Sequence, residues 1–181
     1  MGLSDFFKSK SAGTDSASGE KHPDAGPLMR EMIQSLENDN WTYDYHPDRN
    51  LIYTGVKGKK SHYRLIMSAN EKSQTVCVMT VHPTLTPEER RAAMAEFLTR
   101  ANYGLTVGNF EMDFRDGEVR YRVGYDVEGG RFTAKMADNM VICAYTMMDR
   151  YAAGLVGLVH QGKTVLEAIE AVEGKKEGEA G

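Results

Sequence analysis

The chain has 181 residues, a mass of 20.2 kDa and a formal net charge of −4, and these values exclude several classes of protein. A chain of this length forms one sizeable core, and an acidic balance of mixed charges argues against a nucleic-acid-binding protein, which needs a basic surface. No run of about 18 apolar residues is present, so no membrane span is expected. The sequence starts without a secretory signal pattern, and its two cysteines lack metal-ligand spacing, so we expect a cytoplasmic protein.

Residues 1–25 are predicted to form a flexible arm. Residues 9–26 are rich in Ser, Gly, Ala, Asp and Lys without a hydrophobic period, which is typical of a linker. Residues 2–8 (GLSDFFK) carry three apolar side chains, and two interpretations stay open for them. They are either a disordered end or a peptide that docks on a partner, a groove or a membrane surface. A first helix is expected to begin near Pro27.

Four strands are predicted after this helix, at residues 41–46, 51–57, 63–68 and 75–81. Their short polar connections indicate an antiparallel meander. The alternation of apolar and polar residues is blurred in residues 75–81 (TVCVMTV), where both faces of the strand are apolar. This pattern predicts a central strand that is covered on both sides, or a face that is covered by another subunit.

A second helix and a hairpin are predicted next. Residues 86–89 (TPEE) have the pattern of a capping box at the start of this helix, and Asn102 ends it. Two alternating runs then flank an Asp-Gly step at residues 116–117, which predicts a type I′ hairpin. The polar faces of the two strands carry opposite charges, with Glu111 and Asp113 on one strand and Arg120 and Arg122 on the other.

A long apolar helix is predicted over residues 133–160. Its apolar surface covers more of the girth than one sheet face can cover, which indicates oligomerisation or a bound partner. Methionine suits adaptable binding surfaces as well as irregular cores, and the segment is rich in it. The candidate residues for a partner or dimer surface are Met136, Met140, Met147, Met148 and Tyr151. Thr164 and Glu167 predict a capping box that opens a last short helix, and residues 173–181 are predicted to be a disordered tail.

No constellation of catalytic, metal-binding or cofactor-binding residues is found in the sequence. Residues 157–164 (GLVHQGKT) fit the pattern of a phosphate-binding loop, but they continue an apolar helix instead of following a buried strand, which disfavours nucleotide binding. His46, His62 and His82 lie near predicted strand ends, and their spacing favours half-exposed histidines over a metal site. We therefore expect neither an enzyme nor a bound cofactor.

The predicted elements follow the order α-ββββ-α-ββ-α-α, which indicates a single α+β domain over residues 26–172 with an antiparallel sheet of about six strands. Three stretches carry more specific motifs, namely residues 87–102 (a proline-led helix ending in FLTRAN), 108–113 (GNFEMD) and 116–122 (DGEVRYR). Together they resemble the YbjN family of bacterial sensory transduction regulators over about residues 27–172. This resemblance implies a fold like that of the type III secretion chaperones.

The resemblance also implies a small acidic bacterial protein that forms a homodimer and binds a protein partner, with no catalytic residues. The first hypothesis for its function is therefore a non-catalytic protein-binding module, regulatory or chaperone-like, in bacterial signalling or stress response. The alternative is a domain that senses a small molecule or a nucleotide through a pocket or through residues 157–164. A thermal-shift screen distinguishes the two, because a bound ligand stabilises the folded chain.

Overall fold

Residues 22–174 are described by the computed structural model, and they contain four helices and six strands. The helices are α1 (Pro27–Asn38), α2 (Arg91–Asn102), α3 (Ala134–His160) and α4 (Val165–Glu173). The strands are β1 (Tyr43–His46), β2 (Leu51–Lys57), β3 (His62–Asn70), β4 (Thr75–Val81), β5 (Asn109–Met112) and β6 (Val119–Asp126). This order confirms the predicted α+β fold class and its sequence of helices and strands.

The six strands form one antiparallel sheet in the order β1-β2-β3-β4-β6-β5. The first four strands are the predicted meander. The later hairpin adds to β4 through β6, so that β4 lies inside the sheet and hydrogen-bonds to β3 and β6. The predicted central position of residues 75–81 is therefore confirmed, but the described helices cover only one face of this strand, and not both faces as the first alternative expected.

The core lies between the four helices and one face of this sheet. Alternate side chains of the strands point into it, and the most deeply buried of them are Ile52, Leu65, Met67, Val78, Tyr121 and Val123. Each fully buried apolar side chain of this size contributes about 1.5–3 kcal/mol relative to exposure. The period of two along the strands thus assigns one set of residues to the core and the other set to the opposite face.

Helix α3 is covered within the chain. It packs on β4 and β6, and α1 and α4 pack along its other sides. The apolar girth of this helix therefore needs no second subunit, which corrects the expectation that oligomerisation or a partner would cover it. Among residues 22–174, no helix is apolar over a length that would cross a membrane.

The four helix starts differ in how they are capped, and at α3 the side chain of Thr133 accepts a hydrogen bond from the Met136 N–H. Thr164 and Glu167 form the predicted capping box of α4. The capping box predicted at residues 86–89 is wrong, because Thr86 is buried and the chain first makes a 3-10 turn at Glu88–Arg90. At α1, the backbone N–H groups of Leu28 and Met29 donate to the carboxylate of Glu71, from the β3–β4 connection. Sequence patterns cannot reveal this last cap, because its two parts are more than 40 residues apart.

The β5–β6 hairpin is present, but its turn is not the predicted type I′ turn. A type I′ turn needs positive φ at both central residues. Here Gly117 has a φ of +82° and Asp116 is not among the residues with positive φ. The Gly117 N–H donates to the carbonyl of Asp113, four residues back, so the loop is longer than two residues. Phe114 lies in this loop, 58% exposed, and not on a strand.

The described chain extends slightly beyond the predicted domain at both ends. Ala25 is buried in the core, and the imidazole of His22 lies 3.2 Å from the hydroxyl of Tyr43, so residues 22–25 pack on the domain. At the other end, Glu173 is the last residue of α4. The rest of the predicted arm, including residues 2–8, and the rest of the predicted tail lie outside the described residues.

Candidate functional site

The sheet has one face that no described helix covers, and we call it the open face. Helices α1 and α3 contact the strands from the side of the core, and α2 and α4 pack with α3 on that same side. The side chains that alternate with the core residues therefore point away from all four helices. An open face of this kind is the first place to look for a contact with another molecule.

Five apolar or thiol side chains lie together on the open face, and we call them the open-face patch: Leu51, Tyr53, Ile66, Cys77 and Met79. In the register of the sheet, Tyr53 pairs with Ile66 and Ile66 pairs with Met79, so these three form a continuous row. All five are half-buried, and none is among the partly buried side chains that pack against the core. Burial raises the pKa of the Cys77 thiol, so this side chain is a neutral member of the patch.

Ion pairs border the patch on one side. Arg64 contacts Glu118 at 3.1 Å, and Glu111 contacts Arg120 on the neighbouring strand and Arg122 at 3.8 Å. The predicted cross-strand pairing is therefore confirmed for Glu111. It is wrong for Asp113, which binds Arg115 within the hairpin loop, and this contact lowers the pKa of Asp113 to about 2. An apolar patch with a charged border is typical of a surface that binds another protein.

A polar groove continues the open face toward one end of the sheet. It has a volume of about 520 Å³, and its lining includes Ser68, Thr75, Asn109, Arg122 and Gly124 beside Cys77. Gly124 pairs with Cys77 in the register of the sheet. Because Gly124 has no side chain, no group fills the groove at this position. The groove therefore joins the open-face patch and is not a separate site.

The residues predicted for a partner or dimer surface on α3 divide into two groups. Met140, Met148 and Tyr151 are core residues with at most 2% exposure, so the structure corrects their placement on a surface. The Tyr151 ring contacts Phe97, and its hydroxyl donates to Glu173 at 2.7 Å; burial and this carboxylate raise its pKa to about 12.

Met136 and Met147 are half-buried and pack against the edge of the core. Only these two of the five candidates retain surface that a partner can reach in the folded chain. The methionine content of this segment therefore reflects core filling more than docking.

The other patterns in the sequence do not assemble a site. In residues 157–164, Gly157 belongs to α3 and its carbonyl accepts hydrogen bonds from the N–H groups of Gln161 and Lys163, which is a helix end and not a phosphate loop. His46 and His62 lie at opposite ends of the open face, and His82 is buried and not half-exposed as expected. Within residues 22–174, no group of three or more candidate metal ligands is present.

Sequence reasoning looked for the surface on α3 and did not consider the open face, although the sequence contained a signal for it. The signal was the two-sided apolar character of residues 75–81, from which Cys77 and Met79 come. Leu51, Tyr53 and Ile66 belong to other strands, and their grouping depends on the register of three strands. The patch as a whole was therefore missed.

Comparisons with known proteins identify the family. Among solved structures, "Crystal structure of YbjN, a putative transcription regulator from E. coli" aligns with a TM-score of 0.53 and 10% identity, over 68% of this chain and 87% of that chain. "Structure of the HopA1-SchA Chaperone-Effector Complex" aligns with a TM-score of 0.44 and 13% identity, over 68% of this chain and 88% of that chain, a likeness too small to carry an argument. No curated protein sequence matches the chain. The family model "YbjN: Putative bacterial sensory transduction regulator" matches residues 30–156, more than half of the sequence, and the chain therefore belongs to the YbjN family.

Proposed function

We propose that this chain is a non-catalytic regulatory or chaperone-like module of bacterial signalling or stress response, which works in the cytoplasm by binding another protein through its open face. The observation that carries the proposal is the open-face patch, whose five side chains are neither packed on the core nor fully exposed. Covering such a patch removes apolar surface from water, which favours association by about 25 cal/mol per Å². The family description, a sensory transduction regulator, supports a regulatory role for this binding.

The bound protein is expected to lie across the open face and not to add a strand at β5. The side chain of Asn102 accepts a hydrogen bond from the Phe110 N–H at 2.7 Å and donates to the Phe110 carbonyl at 3.0 Å. These backbone groups belong to the outer edge of the sheet, and Asn102 occupies the place of a neighbouring strand. Strand addition at this edge is therefore blocked, whereas the patch is free of such protection.

Substitution of Ile66 by Glu tests the proposal, because a carboxylate at the centre of the patch cannot be buried against a partner without a large cost. The wild-type chain and Ile66→Glu serve as baits in a bacterial lysate, with quantitative mass spectrometry as the readout. The matched control is Leu166→Glu, an equal change on an apolar side chain of α4 that is 54% exposed. We expect proteins captured by the wild type and by Leu166→Glu to be lost from Ile66→Glu. Equal capture by the wild type and both variants would exclude the open face as the binding surface.

Met136 and Met147 form a second candidate surface, along the flank of α3. A Met147→Glu variant belongs in the same experiment. Loss of capture by this variant with retention by Ile66→Glu would move the binding surface from the sheet to the helix.

The groove beside the patch favours the alternative function, a small-molecule sensor, strongly enough to test it. Its volume is about 520 Å³, which is in the range of ligand sites, and Arg122 supplies a cation in its wall. A thermal-shift screen with anionic metabolites and nucleotides is the test. A rise in melting temperature that Arg122→Ala abolishes would support a sensor, and its absence at millimolar ligand would exclude this class.

A further inference from the structure

We propose that the protein bound on the open face carries an acidic segment beside its apolar one, and that this acidic segment lies on three lysines at the end of the β2–β3 hairpin. We call these lysines the basic loop: Lys57, Lys59 and Lys60. The inference rests on the proposed function, because it uses the same face and names the chemistry of the partner. It is carried by the uncompensated charge of the three lysines, by the contacts that anchor their loop, and by the position of the loop at one end of the open-face patch.

The lysines of the basic loop form no ion pair with any carboxylate of residues 22–174. All three side chains are exposed. The arginines that border the open-face patch differ from them, because each already contacts Glu111 or Glu118. The carboxylate of Asp149 does contact the backbone of the loop, but it is buried and compensates one charge at most. The basic loop therefore carries an excess of positive charge on a chain whose formal net charge is −4.

Contacts with α3 hold the basic loop in place. The Lys60 N–H donates to the Asp149 carboxylate at 2.8 Å, and the Lys60 ammonium donates to the Arg150 carbonyl at 3.0 Å. Across the turn, the Gly58 N–H donates to the Ser61 carbonyl at 2.8 Å. Like charges that are held close together repel each other, and an anionic partner relieves this repulsion without first having to order the loop. The basic loop is therefore preorganised to bind negative charge.

The basic loop begins where the open-face patch ends along β2 and β3. Lys57 pairs with His62 in the register, and both side chains are exposed. Residues an even number of positions apart in a strand share a face, so Lys57 lies on the face of Tyr53 and His62 on the face of Ile66. His62 and Ile66 are separated by about 13 Å along β3. A segment that covers the patch and continues along β3 therefore reaches the basic loop within about four extended residues.

An acidic protein segment fits this combination better than a nucleic acid does. Three lysines neutralise few phosphates, whereas proteins that bind the DNA backbone commonly contact about 6–10 of them. A nucleic-acid backbone also presents no apolar side chains to the open-face patch. A protein segment supplies both kinds of group, with apolar side chains for the patch and carboxylates for the lysines. The complementary charges at the rim then fix the direction in which the segment lies on the sheet.

Binding of two labelled peptides to the full chain tests the chemistry of the partner. The first peptide has about four leucine and tyrosine residues followed by about four glutamates, a length that spans the patch and the basic loop. The second peptide has lysines in place of the glutamates. Fluorescence anisotropy measures the two dissociation constants. We expect the glutamate peptide to bind at least about tenfold more tightly than the lysine peptide.

Charge reversal in the basic loop tests which residues bind the glutamates. Lys57→Glu combined with Lys59→Glu is expected to weaken binding of the glutamate peptide at least about tenfold. Lys57→Gln combined with Lys59→Gln is expected to have an intermediate effect. Both side chains are exposed, so the fold is expected to remain intact in these variants.

The matched control is Lys72→Glu combined with Arg131→Glu, which reverses two exposed cations outside the basic loop. This control is expected to leave the dissociation constant within about twofold of the wild type. Salt provides a second readout, because it screens charge pairs and leaves apolar contacts in place. An increase from about 0.05 M to about 0.3 M salt is expected to weaken binding by the wild type more than binding by the reversed variant.

Equal binding of the two peptides would overturn the proposal, as would a reversal in the basic loop that weakens binding no more than the control reversal. Tighter binding of a labelled single-stranded RNA of about eight nucleotides than of the glutamate peptide would also overturn it, in favour of a nucleic acid. These results leave the proposed function standing if Ile66→Glu still abolishes capture of proteins from the lysate. If Ile66→Glu changes neither the captured proteins nor the peptide binding, the proposed function fails as well.

Discussion

His82 is a buried histidine that belongs to none of the candidate sites. Its surroundings favour the neutral form of its imidazole. Its backbone N–H donates to the Val119 carbonyl at 2.9 Å, while its ring Nδ1 lies 3.2 Å from both the N–H and the carbonyl of Thr84. Among the described residues, Nε2 has no hydrogen-bond partner. Burial, with a smaller effect of nearby His160, lowers the pKa of His82 below its ordinary value of 6.5.

We therefore expect the protein to lose stability as the pH falls. Below pH 6.5 the unfolded chain binds a proton at this histidine more readily than the folded chain does, so the stability present above this pH is lost. Urea unfolding at pH 7.5 and 5.5 measures the effect. His82→Phe is expected to flatten the pH dependence, and His62→Gln, which changes an exposed histidine, is expected to keep it. If the stability of His82→Phe kept the same pH dependence as the wild type, that dependence would come from titratable groups other than His82.

Single residues that join distant parts of the chain were the least predictable from the sequence. Asp149 lies on the apolar helix α3, where its carboxylate accepts from the Tyr63 hydroxyl at 3.0 Å and from the Lys60 N–H at 2.8 Å. It thereby fixes the β2–β3 loop, which the sequence predicted only as a short polar connection. A Cβ on Gly58 would collide with this carboxylate. The partners are nearly 90 residues apart, and no local pattern carries that information.

At the scale of elements, Asn102 connects the end of α2 to the edge strand β5. Its side chain forms both hydrogen bonds of the Phe110 backbone that face away from β6. Asn102→Ala leaves the Phe110 N–H without its partner and leaves the Phe110 carbonyl only the longer bond from the Asn109 side chain at 3.3 Å, which we expect to lower the free energy of unfolding by about 1–3 kcal/mol. Urea titration followed by circular dichroism is the measurement. Thr99→Ala, whose hydroxyl bonds only its own exposed helix, is the control, with an expected change below about 0.5 kcal/mol.

The two threonines with the same capping pattern are expected to respond differently. Thr164 accepts from the Glu167 N–H and has the Glu167 carboxylate on its own N–H, so Thr164→Ala is expected to cost about 1 kcal/mol. The buried hydroxyl of Thr86 has no partner among the described residues, so Thr86→Val is expected to be neutral or stabilising. Thermal unfolding of both variants measures this contrast. A loss of about 1 kcal/mol in Thr86→Val would restore the capping box that the sequence predicted.

Local periodicity was enough to predict the elements themselves. The strand at residues 75–81 and the helix start at Pro27 agree with the structure because each depends on neighbouring residues. The turn after β5 was mispredicted because Gly117 serves a second purpose. Its carbonyl accepts from the Thr86 N–H at 2.9 Å, and a Cβ at this position would meet the Thr86 backbone. Tertiary contact of this kind selects a longer loop with one residue at positive φ.

At the scale of the whole molecule, the position of the candidate site depends on which apolar surfaces are covered by other helices or strands. Helix α3 and strand β4 both have apolar character on more than one side, and the sequence alone does not show which of them is covered. In the fold, α1 and α4 cover α3, whereas all four helices lie on one side of β4. The apolar surface that no described helix covers therefore belongs to the sheet. This conclusion needs the order of the strands and the packing of the helices, which are properties of the complete chain.

Removal of residues 1–21 tests whether the described domain contains the whole interaction surface. The open-face patch lies between residues 51 and 79, and Ala25 already closes the core. A chain that starts at His22 is therefore expected to capture the same proteins from a bacterial lysate as the full chain, with binding constants within about twofold, a difference of less than about 0.5 kcal/mol. Ile66→Glu is the control in the full chain and in the shortened chain, because its effect on binding is expected to be independent of residues 1–21. Stronger capture after truncation would mean that the apolar residues 2–8 compete for the open face. Weaker capture would mean that they contribute to the contact, and either result would extend the binding surface beyond the domain.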